Sequence, residues 1–175
     1  MTYVSQSLSR KQLRSTALYI RKCVGLENEL YFPIVAFLEL VMPKIYDKFY
    51  YEIVPVEEMP ANKHAETDVV NHCIRIREDV YNGAVNGNGR DRMTIAHEIA
   101  HYILIVVCGV KFARIFGDSP ITYQDPEWQA KALAGEILCP AHLIKDMDIY
   151  DVASGCEVSF QAAEYALKNI GGGVR

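Results

Sequence analysis

The ten residues 92–101, RMTIAHEIAH, decide what this chain can fold into. They contain the pattern H-E-x-x-H, whose polar members are His97, Glu98 and His101. Residues four apart lie on one face of a helix, so both imidazoles can reach a single ion, with Glu98 beside them. The surrounding apolar residues predict a buried helix over about 91–108. Because buried polar side chains are costly without a partner, the pattern indicates a metal site.

The chemistry of such a site assigns a role to Glu98. Catalytic zinc usually has three protein ligands and one open position for water, from which a neighbouring glutamate can take a proton. The longer motif with a third histidine is absent, because Leu104 and Val107 stand where its Gly and His would be. The third ligand must come from further along the chain, and the candidates are Asp118, Asp125, Glu127, Glu136 and His142.

Helical phase separates two of these candidates. A helix is predicted over 126–139, where an Asp-Pro start and a proline stop bound it. Glu127 lies at the edge of its apolar stripe, whereas Glu136 falls near the opposite side. A carboxylate that continues an apolar face needs a partner, which favours Glu127 as the third ligand. The alternative is a first-turn acid that stabilises the helix dipole and pairs with Lys131.

The rest of the chain alternates helical and extended patterns. Further helices are predicted over 8–24, 30–42 and in two short pieces around Ser154-Gly155, and strands over 49–54 and 69–80. The second strand alternates polar and apolar residues, which favours a sheet edge, and loops are predicted over 82–89 and 111–125. We expect one α+β domain, 1–175, with N-terminal helices in 1–48, strands and metal-binding helices in 49–140, and a helix pair in 141–175.

Composition narrows the class of protein. The chain has 175 residues, half of them hydrophobic, and a formal net charge of -4, which argues against a dedicated nucleic-acid binder. Five cysteines without a CxxC pair predict free thiols in a reducing compartment. Basic residues interrupt the N-terminus, and apolar runs such as 103–108 are too short for a bilayer. We expect a soluble, cytoplasmic protein with no membrane partner, whose first helix has a solvated basic face.

Two separated segments resemble one protein family. Residues 92–101 resemble the RFTIAHELGH segment of the ImmA/IrrE metallopeptidases. Residues 127–140, EWQAKALAGEILCP, are similar to their E-x-x-A-N-x-F-A-x-x-L-L-M-P segment. The two motifs and the order of elements cover roughly residues 50–165. The resemblance implies a small zincin-like domain, mostly helical, with a short twisted antiparallel or mixed sheet and a C-terminal helix pair that resembles a helix-turn-helix.

Carried over by position, the resemblance implies a set of site residues. His97, His101 and Glu127 would be the metal ligands, and Glu98 the catalytic glutamate, of a gluzincin-like zinc endopeptidase. Zinc suits two histidines and a glutamate, and Mn²⁺ or Fe²⁺ are alternatives.

Three positions depart from the family pattern. Ala100 replaces Gly and Leu133 replaces Phe, which are changes of packing. Lys131 replaces Asn, which puts a cation near Glu127 and weakens the expectation of a fully active site.

The resemblance also implies a substrate. Members of the family cut helix-turn-helix transcriptional repressors, so such a repressor is the expected protein partner. One alternative is a catalytically weak or inactive, zinc-stabilised protein-binding module, for which Lys131 is the main support. Another is a transcription factor that uses the tail, but residues 141–175 carry more acid than base, so direct binding of nucleic acid is not expected.

Other residues are candidates to contact the substrate. Arg92, Tyr123 and His142 are candidates for substrate contact or oxyanion stabilisation, and Tyr102 is a further candidate for the second role. The sequence does not choose among them. The strand over 73–80 is expected to bind an extended substrate as an added strand, because peptides commonly dock on sheet edges.

Overall fold

The computed structural model describes residues 2–115 and 121–171, and helices dominate them. The helices are α1 (Arg10–Cys23), α2 (Ile34–Ala36), α3 (Met42–Ile45), α4 (Glu78–Val85), α5 (Gly89–Tyr102), α6 (Pro126–Leu138), α7 (Ala141–Ile144), α8 (Ile149–Cys156) and α9 (Phe160–Lys168). One π-helical segment, Phe37–Val41, joins α2 to α3, and another, Ile103–Val107, continues α5. The strands are β1 (Thr2–Ser5), β2 (Tyr50–Val54), β3 (Ala65–Asp68), β4 (Cys73–Arg77) and β5 (Phe112–Ile115).

The strands form two small sheets. The first has the order β2-β4-β3, in which β2 runs parallel and β3 antiparallel to β4. The second is the antiparallel pair of β1 and β5. A mostly helical chain with a small mixed sheet confirms the predicted α+β, zincin-like class.

The prediction that β4 lies at a sheet edge is wrong. The strand is central, since it lies between β2 and β3. Cys73, Ile74 and Ile76 are all buried, so the alternation in the sequence does not separate a solvent-exposed face from a buried one. The edge beside the metal helix belongs instead to β3, whose sequence Ala-Glu-Thr-Asp is short and polar and gave no strand signal. The outer side of β3 pairs with no strand among the residues that the structure describes.

Several element boundaries also differ from the sequence prediction. The strand predicted over 69–80 stops at Arg77, because Glu78 and Asp79 begin α4 and acidic residues stabilise a helix N-terminus. The loop predicted from residue 82 therefore begins only after α4, and the loop predicted over 111–125 contains β5. Ser154-Gly155 lies inside α8, and Glu157, which directly follows the helix, has a left-handed backbone conformation.

The core is centred on α5 and α6. Both helices are buried over most of their surface, and small residues such as Ala96, Ala100, Ala130 and Ala134 line them. Small side chains let two helices lie close together, so ligands on the two helices can reach one point. At its start α5 also meets the tail, since a Cβ at Gly89 would lie 2.6 Å from the backbone of Val158.

The prediction that the basic residues of α1 form a solvated face is wrong for Arg21. Arg21 is fully buried and donates to the backbone carbonyls of Leu26, Glu29, Leu30 and Ile137. Charged hydrogen bonds of this kind tie α1 to the end of α6. Sequence periodicity placed the helix correctly but could not reveal these carbonyl partners.

The length and composition of the helices bear on whether any of them could span a membrane. Among residues 2–115 and 121–171, none of the helices has both the length and the apolar character needed to cross a bilayer.

Candidate metal centre

Two helices bring the predicted ligands to one point. His97 and His101 project from one face of α5, four residues apart, as the sequence pattern predicts. Glu127 lies in the first turn of α6, where Asp125 caps the helix by accepting a hydrogen bond from the Glu127 backbone N–H at 2.9 Å. The cap and Pro126 fix the start of α6, and this start orients the Glu127 side chain.

The geometry of the three side chains suits a metal ion. Nε2 of His97 lies 3.0 Å from Nε2 of His101 and 3.1 Å from one oxygen of Glu127. Nε2 of His101 lies 3.2 Å from the other Glu127 oxygen. Ligand atoms around a tetrahedral zinc at 2.0–2.1 Å are separated by about 3.3 Å. Two imidazole nitrogens and a carboxylate at these separations therefore fit a divalent transition metal with little rearrangement.

Solvent access and charge also favour a ligand site. The Glu127 side chain is 72% exposed, whereas those of His97 and His101 are 25% and 16% exposed. Hydrogen bonds from His101 and then His97 hold the pKa of Glu127 well below its usual range, so its carboxylate stays ionised. The cluster thus lies at an opening of the fold, where an ion and a substrate can enter.

Glu98 follows His97 on α5 and has one close side-chain partner. The Thr67 hydroxyl lies 2.6 Å from Oε2 of Glu98 and 3.1 Å from the Glu98 backbone carbonyl. Thr67 belongs to the edge strand β3, so the sheet contacts the carboxylate through this residue. The hydrogen bond fixes one oxygen of Glu98, and Oε1 makes no hydrogen bond within the described residues.

The other third-ligand candidates lie elsewhere or serve other roles. Glu136 is buried and forms ion pairs with Arg10 and Arg14 at 3.5 and 2.9 Å. Asp125 is the cap of α6, and His142 Nε2 lies 2.7 Å from the backbone carbonyl of Glu27. Asp118 falls outside the described residues. The assignment of Glu127 as the ligand stays a prediction that the geometry favours.

The burial of α6 differs from the predicted one-sided pattern, although Glu127 does lie at the two histidines. Glu136 was expected away from the core, but α6 is buried on nearly every side and Glu136 is only 6% exposed. Glu127 was expected to continue a buried face, but it is in an exposed first turn. The apolar stripe could not show this, because the neighbours of α6 come from α1, α5 and α9.

The structure places Arg92 in a buried network of hydrogen bonds. This side chain is 1% exposed, and its guanidinium donates to the backbone carbonyls of Phe32, Cys156 and Glu157 and to the Tyr31 hydroxyl. Its nitrogen atoms are therefore engaged in holding α5 to the tail and to the segment before α2. These contacts give Arg92 a structural role, and its contact with a substrate stays a prediction that nothing in the structure supports.

The remaining predicted contacts divide into two groups. His142 and Tyr102 are engaged elsewhere, since the Tyr102 ring is buried and its hydroxyl lies 3.1 Å from Nδ1 of His72. Burial raises the pKa of Tyr102 to about 12. Tyr123 lies just before α6, 41% exposed, with its ring against Trp128, so it remains the candidate nearest in sequence to Glu127.

Lys131 contacts an aromatic ring of α9. Its ammonium lies over the Tyr165 ring, 5.4 Å from the ring centroid, and within the described part of the chain it forms no ion pair with Glu127. The expected i,i+4 pair of the alternative interpretation is thus absent there. This orientation removes the main support for an impaired site.

Fold and site together define the class of protein. A small α+β domain has an HExxH helix and, on a second helix, a glutamate that can complete a metal site, as in metal-dependent peptidases. The IrrE N-terminal-like domain, a peptidase family, matches residues 53–168. The chain therefore belongs to the ImmA/IrrE family, which confirms the resemblance of the two motifs. Neither a curated protein nor a solved structure shows a significant match.

Sequence reasoning missed Thr67. No signal for β3 was recognised, so its side chains could not be placed near α5. The turn around Asp68 is the sequence signal that could have revealed β3 and Thr67. The Asp68 carboxylate accepts hydrogen bonds from the backbone N–H groups of Val70 and Asn71, and this turn reverses the chain before β4. A turn directly before a recognised strand predicts a partner strand on its other side.

Proposed function

We propose that the protein is a zinc-dependent endopeptidase. The observation that carries the proposal is the convergence of His97, His101 and Glu127, with Glu98 next to His97 on α5. Membership of a peptidase family supports the reaction class. Zinc suits the donor set best, and Mn²⁺ or Fe²⁺ could take the same ligands.

The reaction assigns distinct roles to the residues. His97, His101 and Glu127 hold the ion, which when bound lowers the pKa of water and polarises a carbonyl. Glu98 takes a proton from the attacking water and delivers it to the leaving amine. Thr67 holds one oxygen of Glu98, which leaves the other free to accept the proton. Tyr123 is the candidate to stabilise the oxyanion.

The substrate would bind along β3. An extended peptide can add to the outer side of this edge strand, and Thr67 places the strand directly beside Glu98. A peptide paired with β3 would thus run past the catalytic carboxylate. This replaces β4, which is central in the sheet, as the docking strand.

We further propose a helix-turn-helix repressor as the substrate. The support is the resemblance of the two motifs to the ImmA/IrrE metallopeptidases, together with a site open enough to admit a protein segment. The cytoplasm, where such repressors act, is the proposed location. Helix α9 packs on α6, and residues 141–175 carry more acid than base, so direct nucleic-acid binding is not proposed.

Replacing Glu98 with Gln tests the function. The zinc-loaded wild-type protein should cleave a repressor encoded at the same locus, whereas Glu98→Gln should lose cleavage by at least about 100-fold and keep stoichiometric zinc. The control Glu57→Gln changes an exposed glutamate outside the site and should cleave normally. Cleavage products are followed by mass spectrometry and zinc by elemental analysis. Undiminished cleavage by Glu98→Gln would refute the mechanism, and a repressor bound but left intact by the wild type would indicate the binding-module alternative.

A further inference from the structure

A cavity of about 390 Å³ opens beside the metal centre. His97 forms part of the cavity wall, so the cavity adjoins the predicted metal ligands. Helices α5, α6 and α9 supply most of the remaining wall, and Arg10 of α1 is at its buried side. We propose that this cavity is a specificity pocket that takes an acidic side chain of the substrate next to the scissile bond. The proposal rests on the proposed peptidase function.

The charges of the wall favour an anion. Three cationic side chains line the cavity, those of Arg10, Arg90 and Lys131, against the single carboxylate of Glu136. That carboxylate is already committed, because Arg10 and Arg14 both bind it. The whole chain has a formal net charge of -4, so the cationic wall is a local departure from the overall charge. Charge complementarity of this kind selects partners.

The two exposed cationic side chains of the cavity are not engaged in salt bridges within the described residues. Lys131 and Arg90 are exposed, and neither forms an ion pair with a carboxylate in residues 2–115 or 121–171. Lys131 is instead held over the Tyr165 ring, which keeps its ammonium at the cavity. A ligand carboxylate would therefore meet two cations without displacing an existing salt bridge.

The apolar part of the wall suits the stem of a glutamate. Met93 of α5 and Ala162 and Ala166 of α9 line the cavity, and each offers only carbon or sulfur to a ligand. A glutamate side chain has two methylene groups before its carboxylate, so it can bury the stem and present the charge to Lys131 and Arg90. A lysine side chain would face like charges there.

This assignment gives the C-terminal helix pair a role. Ala162, Tyr165 and Ala166 all come from α9, so the tail forms one wall of the pocket beside His97. The replacement of the family Asn by Lys131 then contributes to substrate choice, since its side chain lines the pocket and its ammonium lies over the Tyr165 ring.

A pair of matched hydroxamates tests the pocket without a known substrate. Hydroxamates bind catalytic zinc, so two dipeptide hydroxamates that differ only in a glutamate or glutamine side chain report on the neighbouring pocket. Binding to the zinc-loaded full-length protein is measured by calorimetry at low salt. We expect the glutamate form to bind about tenfold more tightly, with a preference that falls as salt is added.

Charge variants locate the source of the preference. Lys131→Gln should reduce it to about threefold, and Lys131→Glu should abolish or reverse it. Lys44→Gln, which changes an exposed lysine outside the cavity, should leave it unchanged. Circular dichroism confirms that the variants fold, and elemental analysis confirms that they hold zinc.

The outcomes separate the two proposals. Equal binding of both hydroxamates by the wild type, or a preference that Lys131→Glu does not alter, would overturn the pocket assignment and leave the peptidase proposal standing. If the protein holds no zinc and binds neither hydroxamate, the metal site fails and the pocket assignment fails with it.

Discussion

Two glutamates nine residues apart on α6 have opposite environments. Glu136 is 6% exposed, and its carboxylate binds Arg10 and Arg14. Glu127 is 72% exposed, and within the described residues its carboxylate meets only His97 and His101. A buried carboxylate with two guanidinium partners stabilises the fold, whereas an exposed carboxylate held by two imidazoles can bind an ion. Thus burial alone does not identify the functional residue, and the chemistry of the partners does.

The same contrast appears along α5. Arg92, near its start, donates to backbone carbonyls and holds the tail, and the His97–His101 face, further on, is open to solvent. The helix is therefore anchored at one end and carries the reactive groups at the other. Substitutions at the two ends should separate stability from metal binding.

The largest expected effect is on stability, at Glu136. Glu136→Ala leaves Arg10 without a carboxylate in a buried site, so the free energy of unfolding of the metal-free protein should fall by about 3 kcal/mol. Urea denaturation followed by circular dichroism measures it. Glu136→Gln keeps the size and an acceptor oxygen and should lose less. A loss below about 1 kcal/mol for the Ala variant would show that the two glutamates are not different in kind.

The next effect is on metal affinity, at Glu127. Glu127→Ala removes one of three ligands, so zinc affinity should fall by about 100-fold or more, since even outer-shell partners are worth about 10–100-fold. The stability of the metal-free protein should change by less than about 1 kcal/mol, because the side chain is exposed. Competition titration with a zinc chelator gives the affinity. Glu164→Gln, an exposed glutamate on α9, is the control, and unaltered affinity in Glu127→Ala would exclude Glu127 as a ligand.

The smallest effect concerns Glu98, whose exposure is intermediate between those of Glu136 and Glu127. Thr67→Val keeps the shape of the side chain but removes the hydroxyl that contacts Glu98, so kcat should fall by about tenfold with KM and zinc content unchanged. Thr67→Ser restores the hydroxyl and should recover most of the rate. Equal activity of the Val and Ser variants would show that Thr67 does not position Glu98.

The sequence predicted the local parts of the site well. The HExxH spacing is a property of one helix, so α5 and the shared face of His97 and His101 followed from it directly. The Asp-Pro start of α6 was equally local and placed Glu127 in the first turn. These features depend on neighbours within a few residues, which is why periodicity and capping rules reach them.

The parts that depend on distant partners were not predictable. Arg21 and Arg92 bind backbone carbonyls, and every residue has one, so no sequence pattern marks the partner. The contact between Thr67 and Glu98 requires a strand that is four residues long and mostly polar. The orientation of Lys131 depends on Tyr165 of α9, which lies far along the chain.

The contacts of Arg92 have a consequence for how the molecule opens. One guanidinium joins α5 to Phe32 on one side and to Cys156 and Glu157 on the other, so these three segments share a single buried charge. Detaching the tail would remove the carbonyl acceptors of Cys156 and Glu157 from a buried charge, which is costly enough to make partial opening rare. The helix that carries the metal ligands and the tail should therefore exchange their amide hydrogens as one cooperative unit.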